Sequence, residues 1–154
     1  MSMLERIEQH DFFRDLPESY LSVLAKTAST QKLSKDEVLF VHGTEANHFY
    51  FVASGSVSLE VAAIEGPSLK LQEISDGGVL GWSWLIPPYE WHFRARATCD
   101  TELIVFDGKA LRKHCEADPA FGYELLKRVS SLMSERLSFA REKMMDAWFP
   151  EGFA

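Results

Sequence analysis

The chain has 154 residues and a net charge of −7, which is a typical size for one domain. Hydrophobic residues make up 46% of the chain and charged residues 25%, enough for a real core without disulfides. The acidic balance argues against nucleic acid as a partner, because proteins that bind nucleic acid present basic surfaces to the phosphates.

The start of the chain lacks the apolar run of a signal peptide, and no stretch of 18 apolar residues could cross a membrane. The two cysteines, Cys99 and Cys115, have neither a metal-binding nor a redox spacing. We therefore expect them to be buried small residues in a reducing compartment. These features predict a cytoplasmic protein with no membrane partner.

Residues 4–28 are predicted to be helical and to be broken into two helices at Pro17, which cannot continue a helix. From Gln31 to Asp107 the apolar residues recur at every second position, as in antiparallel strands separated by glycine and proline turns. The turn Ser54-Gly55-Ser56 is predicted to close a hairpin. The residues expected to face the core are Val57, Leu59, Val61, Leu69, Leu71, Trp91, Phe93, Ala95 and Ala97.

After the strands, helices are predicted over 108–116 and 118–148. Asp118-Pro119 is a favourable helix start, with a capping acceptor followed by proline at the first helical position. Thirty helical residues span about 45 Å, and their apolar residues form two stripes. One stripe is expected to contact the domain itself, and the other predicts a homodimer through this C-terminal helix. The alternative is that the stripes only cap the strands. The two stripes are Leu126, Val129, Met133, Leu137, Ala140, Met144, Ala147 and Phe121, Leu125, Leu132, Phe139.

Residues 39–57 contain an apolar pair, a glycine turn, an aromatic strand and then Ser54-Gly55-Ser56-Val57. Together with the glycines of 77–81 and Asp118-Pro119, they resemble the cyclic nucleotide-binding domain over about 4–141. The resemblance implies a mainly β fold with flanking helices: a double-stranded β-helix, or jelly-roll and cupin-like β-roll, as in the sensor half of catabolite-activator-type regulators. It predicts a single domain over 1–154, with no length left for a DNA-binding domain.

In that family, the ligand site is a phosphate cassette in which a glycine is followed by a glutamate, a small residue and then an arginine. Gly81 matches the first position, but Trp82 stands at the glutamate. Trp84 stands at the small residue, where its bulk is expected to obstruct the phosphate. By strand register, Tyr89 falls at the arginine position and Glu90 at the following serine or threonine. Losing a bidentate arginine would weaken phosphate binding by about 3–6 kcal/mol. The cassette is therefore expected to be degenerate and not to bind cyclic AMP in the usual way.

The expected ligand-binding positions are Gly81, Trp82, Ser83, Trp84, Leu85, Tyr89, Glu90 and Trp91. Their aromatic rings could line a pocket for a flat apolar or cationic ligand of unknown identity, or they could simply fill the inherited cavity. Arg94 or Arg96 could replace the missing arginine only if a bulge reversed the strand parity. Otherwise both are expected to point to solvent.

No catalytic residues are expected, because no constellation of nucleophile and base occurs in the sequence. His42, Glu45 and His48 do not have the spacing of a cupin metal site, so neither a metal nor a cofactor is predicted. The charges Glu135, Arg136, Arg141, Glu142 and Lys143 are expected to form a solvated helix face. The sequence favours a stand-alone sensor or regulatory module that is not an enzyme. Its alternatives are a ligand-free interaction module and a cupin-like metalloenzyme.

Overall fold

The computed structural model describes residues 2–61 and 67–148. Its helices are α1 (Met3–Glu8), α2 (Glu18–Lys26), α3 (Gly108–Ala117) and α4 (Pro119–Trp148), with a 3₁₀ turn over Asp11–Phe13. Ser2 and Glu5 form a capping box at α1, and the Asp107 and Asp118 carboxylates accept from the first turns of α3 and α4. The N-terminal helical segment is shorter than the predicted 4–28, because α2 ends at Lys26 and a strand begins at Ala28.

In the described part of the chain, eight strands form two antiparallel four-stranded sheets. The first sheet has the order β1-β8-β3-β6 and the second β2-β7-β4-β5. The ladders of the described residues form two separate sheets that do not close into a barrel, and the predicted antiparallel β-roll is confirmed. The strands are β1 (Ala28–Leu33), β2 (Val38–Phe40), β3 (His48–Ser54), β4 (Ser56–Val61), β5 (Leu69–Ser75), β6 (Val79–Leu80), β7 (Arg94–Ala97) and β8 (Thr101–Asp107).

The Ser54-Gly55-Ser56 turn does not close a hairpin, because β3 pairs with β6 and β8 while β4 pairs with β5 and β7. The turn instead carries the chain from one sheet to the other. Gly55 has φ +106°, and a Cβ there would lie 2.5 Å from the Thr101 hydroxyl oxygen. The glycine is thus required by backbone conformation and by close packing between the two sheets.

Strand β3 is apolar on both faces because its sheet is covered on both sides. Phe49 and Phe51 face the helices, whereas Tyr50 and Val52 face the interior between the two sheets. The helix-side cluster also contains Phe13, Leu24, Ile104, Phe106, Leu111, Phe121 and Leu125. The interior cluster also contains Leu33, Phe40, Val57, Leu59, Ile74, Leu80, Trp91, Ala95, Ala97, Leu103 and Val105.

The predicted alternation is wrong along β5 and at the end of β4. Gln72 and Ile74 are buried, whereas Leu69 is 53% exposed and Leu71 is only half-buried. The register of the β4–β5 pair shifts between Leu59 and Glu60, so the simple period of two does not hold through the pair. On β4, Val61 lies exposed at the end of the strand, while Ser58 and Glu60 are buried despite their polarity. Phe93 is half-buried rather than in the core, and Ala62 lies outside the described residues.

Helix α4 packs against its own domain through Phe121, Leu125, Val129 and Leu132. Val129, from one of the two predicted stripes, thus packs on the domain together with residues of the other stripe. The predicted solvated charge face is also wrong at Arg136, which is buried. Cys99 is exposed and Cys115 half-buried, contrary to the expectation that both are buried. Within the described residues, no helix is sufficiently long and apolar to cross a membrane.

Candidate functional site: the segment between β6 and β7

The segment 81–93 connects β6 of the first sheet to β7 of the second and contains the predicted cassette. It begins at Gly81, which has φ +93°. A Cβ at Gly81 would lie 2.9 Å from two ring carbons of Trp91. Glycine is therefore required here by a left-handed backbone and by the Trp91 indole that packs directly on it.

Trp91 occupies the interior of the roll beside Gly81. Its side chain is 5% exposed and stacks on Phe40 with ring centroids 3.8 Å apart and planes at 7°. Its backbone N–H donates to the Thr44 carbonyl oxygen, and its own carbonyl accepts from Gly43, each at 2.9 Å. The position of the indole is thus fixed by packing and by the neighbouring turn.

Tyr50 lies on the same interior face, with its ring centroid 6.1 Å from that of Trp91. Burial raises the pKa of Tyr50 to about 12, so the phenol stays neutral across the physiological range. Phe40, Tyr50 and Trp91 therefore line the interior beside the cassette, and all three aromatic side chains are neutral.

Trp84 does not enter this interior, contrary to the expectation that it would obstruct a phosphate. It is fully buried on the opposite side, in the helix-side cluster, and its ring stacks on Phe49 at 5.7 Å. Its indole Nε1 has no hydrogen-bond partner among the described residues. Leu85 packs against the same helix-side cluster. These two positions anchor the cassette on the helices.

Tyr89 is also not in the interior. It has φ +58°, so strand parity is lost before Trp91, and its half-buried ring lies under the Arg112 guanidinium at 4.2 Å. Arg112, on α3, also donates a hydrogen bond of 2.5 Å to the Trp84 carbonyl oxygen. Sequence reasoning missed Arg112, because nothing in the pattern of α3 indicates a contact with a loop so distant in the chain.

The remaining predicted positions differ in burial: Ser83 is buried, Trp82 is half-buried against the helix-side cluster, and Glu90 is exposed. The Trp82 ring stacks on His92 with centroids 4.6 Å apart, and Ser83 Oγ lies 3.1 Å from Nδ1 of the same histidine. Glu90 is exposed and forms an isolated β-bridge with Glu45. Trp82 and Ser83 thus both contact His92, whereas Glu90 faces away from the roll interior and towards solvent.

Arg94 and Arg96 lie on the outer face of β7 and hold the buried Glu60 carboxylate instead of pointing freely to solvent. The closest contacts are 2.6 Å from Arg94 Nη2 to Oε1 and 2.8 Å from Arg96 Nη2 to Oε2, and Arg96 also contacts Asp36. Burial acts to raise the pKa of Glu60. The hydrogen bonds from Arg96, Arg94 and Ser58 outweigh that effect and lower it. Both guanidiniums are thus bound on the face of β7 opposite to the interior-facing Ala95 and Ala97.

No group of three or more His, Cys, Asp or Glu side chains with metal-binding proximity occurs in residues 2–61 and 67–148. His42, on the turn before β3, and His48, the first residue of β3, are both exposed.

The family model of the cyclic nucleotide-binding domain matches residues 30–118, which is more than half of the chain. The chain therefore belongs to the cyclic nucleotide-binding domain family. The match covers both sheets except for the first residues of β1, and it includes the whole cassette.

Two solved structures share most of the chain. The structure described as a cyclic nucleotide-binding protein from Geobacter metallireducens GS-15 is 26% identical, with a TM-score of 0.80 over 89% of this chain and 99% of that one. A cyclic nucleotide-binding domain from Methylobacillus flagellatus KT has a TM-score of 0.78 at 17% identity, over 97% of this chain and 84% of that one. At 17% identity, the second likeness concerns the fold alone.

Two further matches are to proteins of other kinds. The sensor domain of the transcriptional regulator DNR from Pseudomonas aeruginosa shares the fold, with a TM-score of 0.69 at 20% identity over 87% of this chain and 90% of that domain. The cGMP-dependent 3′,5′-cGMP phosphodiesterase A of Dictyostelium discoideum is 31% identical over 65 residues. That match covers 42% of this chain and 8% of the much longer phosphodiesterase.

Proposed function

We propose that the domain is a regulatory module of the cyclic nucleotide-binding fold whose cassette does not bind cyclic AMP or cyclic GMP in the usual way. The observation that carries the proposal is the position of Trp91. Its indole is stacked on Phe40 and packed on Gly81, in the interior beside the start of the cassette. A ligand entering there would have to displace a buried tryptophan.

The charges near the cassette support the same proposal. A cyclic phosphate is a monoanion, and its binding requires a cation that is free to face it. Arg94 and Arg96 are bound to Glu60 on the outer face, and Arg112 is stacked on Tyr89. Recruiting any of these arginines would break hydrogen bonds that each contribute about 1.5–3 kcal/mol when one partner is charged.

The same contacts favour a packing role for the aromatic side chains of the cassette over a stacking pocket for another ligand. Trp84 and Trp91 are each buried in a different core cluster, so they connect the segment to both sides of the first sheet. Trp82 and His92 form the remaining aromatic pair, in which Trp82 is half-buried and His92 is exposed. A flat ligand of unknown identity would therefore bind at Trp82, on the outer side of the segment.

Thermal unfolding in the presence of 1 mM cyclic AMP or cyclic GMP tests the proposal. We expect each nucleotide to change the melting temperature by no more than 5′-AMP does. A ligand with a Kd near 10 μM would add about 2.7 kcal/mol at that concentration, or roughly 5–10 °C for a domain of this size. A rise of that size, specific to a cyclic nucleotide, would contradict the proposal.

A second candidate function, homodimerisation through α4, is favoured by the apolar stripe that the fold leaves exposed. Leu126 is 43%, Leu137 70% and Met144 66% exposed, although all three are large apolar side chains. With Met133 and Ala140 added, the successive positions are seven, four, three and four residues apart. This is the spacing of the contact seam of a coiled coil. We propose that a second copy of this helix covers the seam.

Replacing Leu137 by glutamate should convert the dimer into a monomer, because two buried carboxylates would face each other across the seam. Ser138→Glu is the matched control, since it adds the same charge one residue away from the seam on an exposed position. Light scattering coupled to size exclusion measures both variants. A wild-type protein that is monomeric at every concentration, or a dimer equally sensitive to both changes, would contradict the dimer proposal.

A further inference from the structure

Arg136 is a buried cation on the α4 face that packs against the sheets. Its side chain is 7% exposed. Nη1 donates a hydrogen bond of 3.1 Å to Oε1 of Gln72 on β5, and Nη2 donates to the carbonyl oxygen of Val79 on β6. The Glu135 carboxylate lies 3.8 Å away and is 54% exposed, so it is not a close, buried counterion.

The acceptors of this guanidinium are thus neutral groups of two strands. Burial lowers the pKa of Arg136 to about 10, which still leaves the side chain charged near neutral pH. Burying a charge against neutral acceptors carries a large desolvation penalty, which an apolar side chain of similar size would avoid. The arrangement therefore indicates a positional role.

The acceptor on β6 connects Arg136 to the cassette. Val79 is the first residue of the two-residue strand β6, and Leu80 leads directly into Gly81. The ring of Trp91 packs directly on Gly81. A displacement of the cassette that moves β6 would therefore move the carbonyl group to which α4 is bound.

On α4 itself, Arg136 marks the end of the packed part of the helix. The residues from Leu137 to Ala147 are exposed, apart from the half-buried Ala140. Another arginine, Arg128, lies eight positions earlier and donates to the Phe12 and Arg14 carbonyl oxygens of the N-terminal segment. The two arginines thus bind α4 to different parts of the domain.

We propose that Arg136, Gln72 and the Val79 carbonyl form a polar latch that couples the position of the second half of α4 to β6 and the cassette. Arg136 acts as a positioning residue, and the latch passes a movement of either element to the other. The inference goes beyond the proposed regulatory function, because it requires neither a ligand nor a dimer. It can therefore stand or fail independently of both.

Hydrogen exchange measured by mass spectrometry on Arg136→Met tests the latch, since methionine keeps most of the packing and removes the hydrogen bonds. We expect exchange about tenfold faster in segments 77–84 and 133–147, with little change elsewhere. Arg136→Lys, which retains the charge and one donor group, should show a smaller increase in the same two segments. If Arg136→Met does not fold, the test is hydrogen exchange of Arg136→Lys in the same two segments.

Arg128→Met is the matched control on the same helix, and it should speed exchange at 10–16 without affecting 77–84. A further comparison uses Trp91→Ala, which should speed exchange at 133–147 in the wild-type background but not add to it in Arg136→Met. The latch is refuted by unchanged exchange at 77–84 in Arg136→Met, by a uniform increase across the domain, or by additive effects of the two changes.

Discussion

Trp91→Ala should lower the free energy of unfolding by about 3–5 kcal/mol, the usual loss when a large buried aromatic side chain is removed from a core. The indole is 5% exposed and stacked at 3.8 Å on Phe40, and its ring carbons fill the space in front of Gly81. The surrounding side chains lie on two different sheets, so they cannot easily collapse into the space left behind. Urea denaturation followed by circular dichroism measures the loss.

Trp82→Ala provides the comparison, because it removes the same side chain from a less buried position in the same segment. Trp82 is only half-buried, and it stacks on the exposed His92. We expect it to lose less than half as much stability as Trp91→Ala. Equal losses at the two positions would mean that Trp91 has no special role in filling the interior.

Glu60→Gln should have the second largest effect, a loss of about 1.5–3 kcal/mol near neutral pH. The Glu60 carboxylate is buried, and it accepts from Arg94, Arg96 and the Ser58 hydroxyl. Glutamine keeps the size of the side chain but cannot accept with both terminal atoms. The two guanidiniums are about a third exposed, and their solvation limits the loss compared with a fully buried ion pair.

The effect of Glu60→Gln should also depend on pH. The folded-state pKa of Glu60 is lowered from its ordinary value of 4.5, so the carboxylate binds fewer protons when folded than when unfolded. Its contribution is therefore complete above pH 4.5 and is lost as the pH falls through the lower folded-state pKa. The stability difference between wild type and Glu60→Gln should shrink from pH 7 to pH 3. A constant difference over that range would show that the ion pairs do not cause it.

Much of the architecture could be predicted from the sequence, because several signals agree. The element order, the spaced glycines and the Asp118-Pro119 helix start are local features, and each depends on the backbone conformation of a few residues. The apolar run of β3 likewise follows from a sheet that is covered on both faces. These features are the ones that led to the correct family.

The prediction of the site was less accurate, because strand parity cannot be carried through an irregular segment. The positive φ of Tyr89 changes the direction of the side chains that follow, so Trp91 enters the interior and Tyr89 does not. A similar irregularity, the register shift at Leu59 and Glu60, accompanies the wrong assignment of β5. Sequence pattern cannot locate such shifts when both faces of a strand carry similar residues.

Long-range polar contacts were the other source of error. Arg136 looked like part of a solvated helix face because it is flanked by charges, yet its acceptors lie on β5 and β6. Arg94 and Arg96 lie on the predicted face of β7, but the sequence pattern did not indicate that a buried Glu60 carboxylate binds them. Each of these contacts joins residues that are distant in the chain, and helical or strand periodicity contains no information about them.

The central claim is that Trp91 occupies the interior beside Gly81 and keeps a cyclic nucleotide out. The most direct test is to follow the indole N–H resonance of Trp91 by NMR, assigned with Trp91→Phe, while cyclic AMP or cyclic GMP is added to 1 mM. We predict that the resonance does not move with either nucleotide. A saturable shift of that resonance would show that the nucleotide reaches the interior, and it would contradict the account.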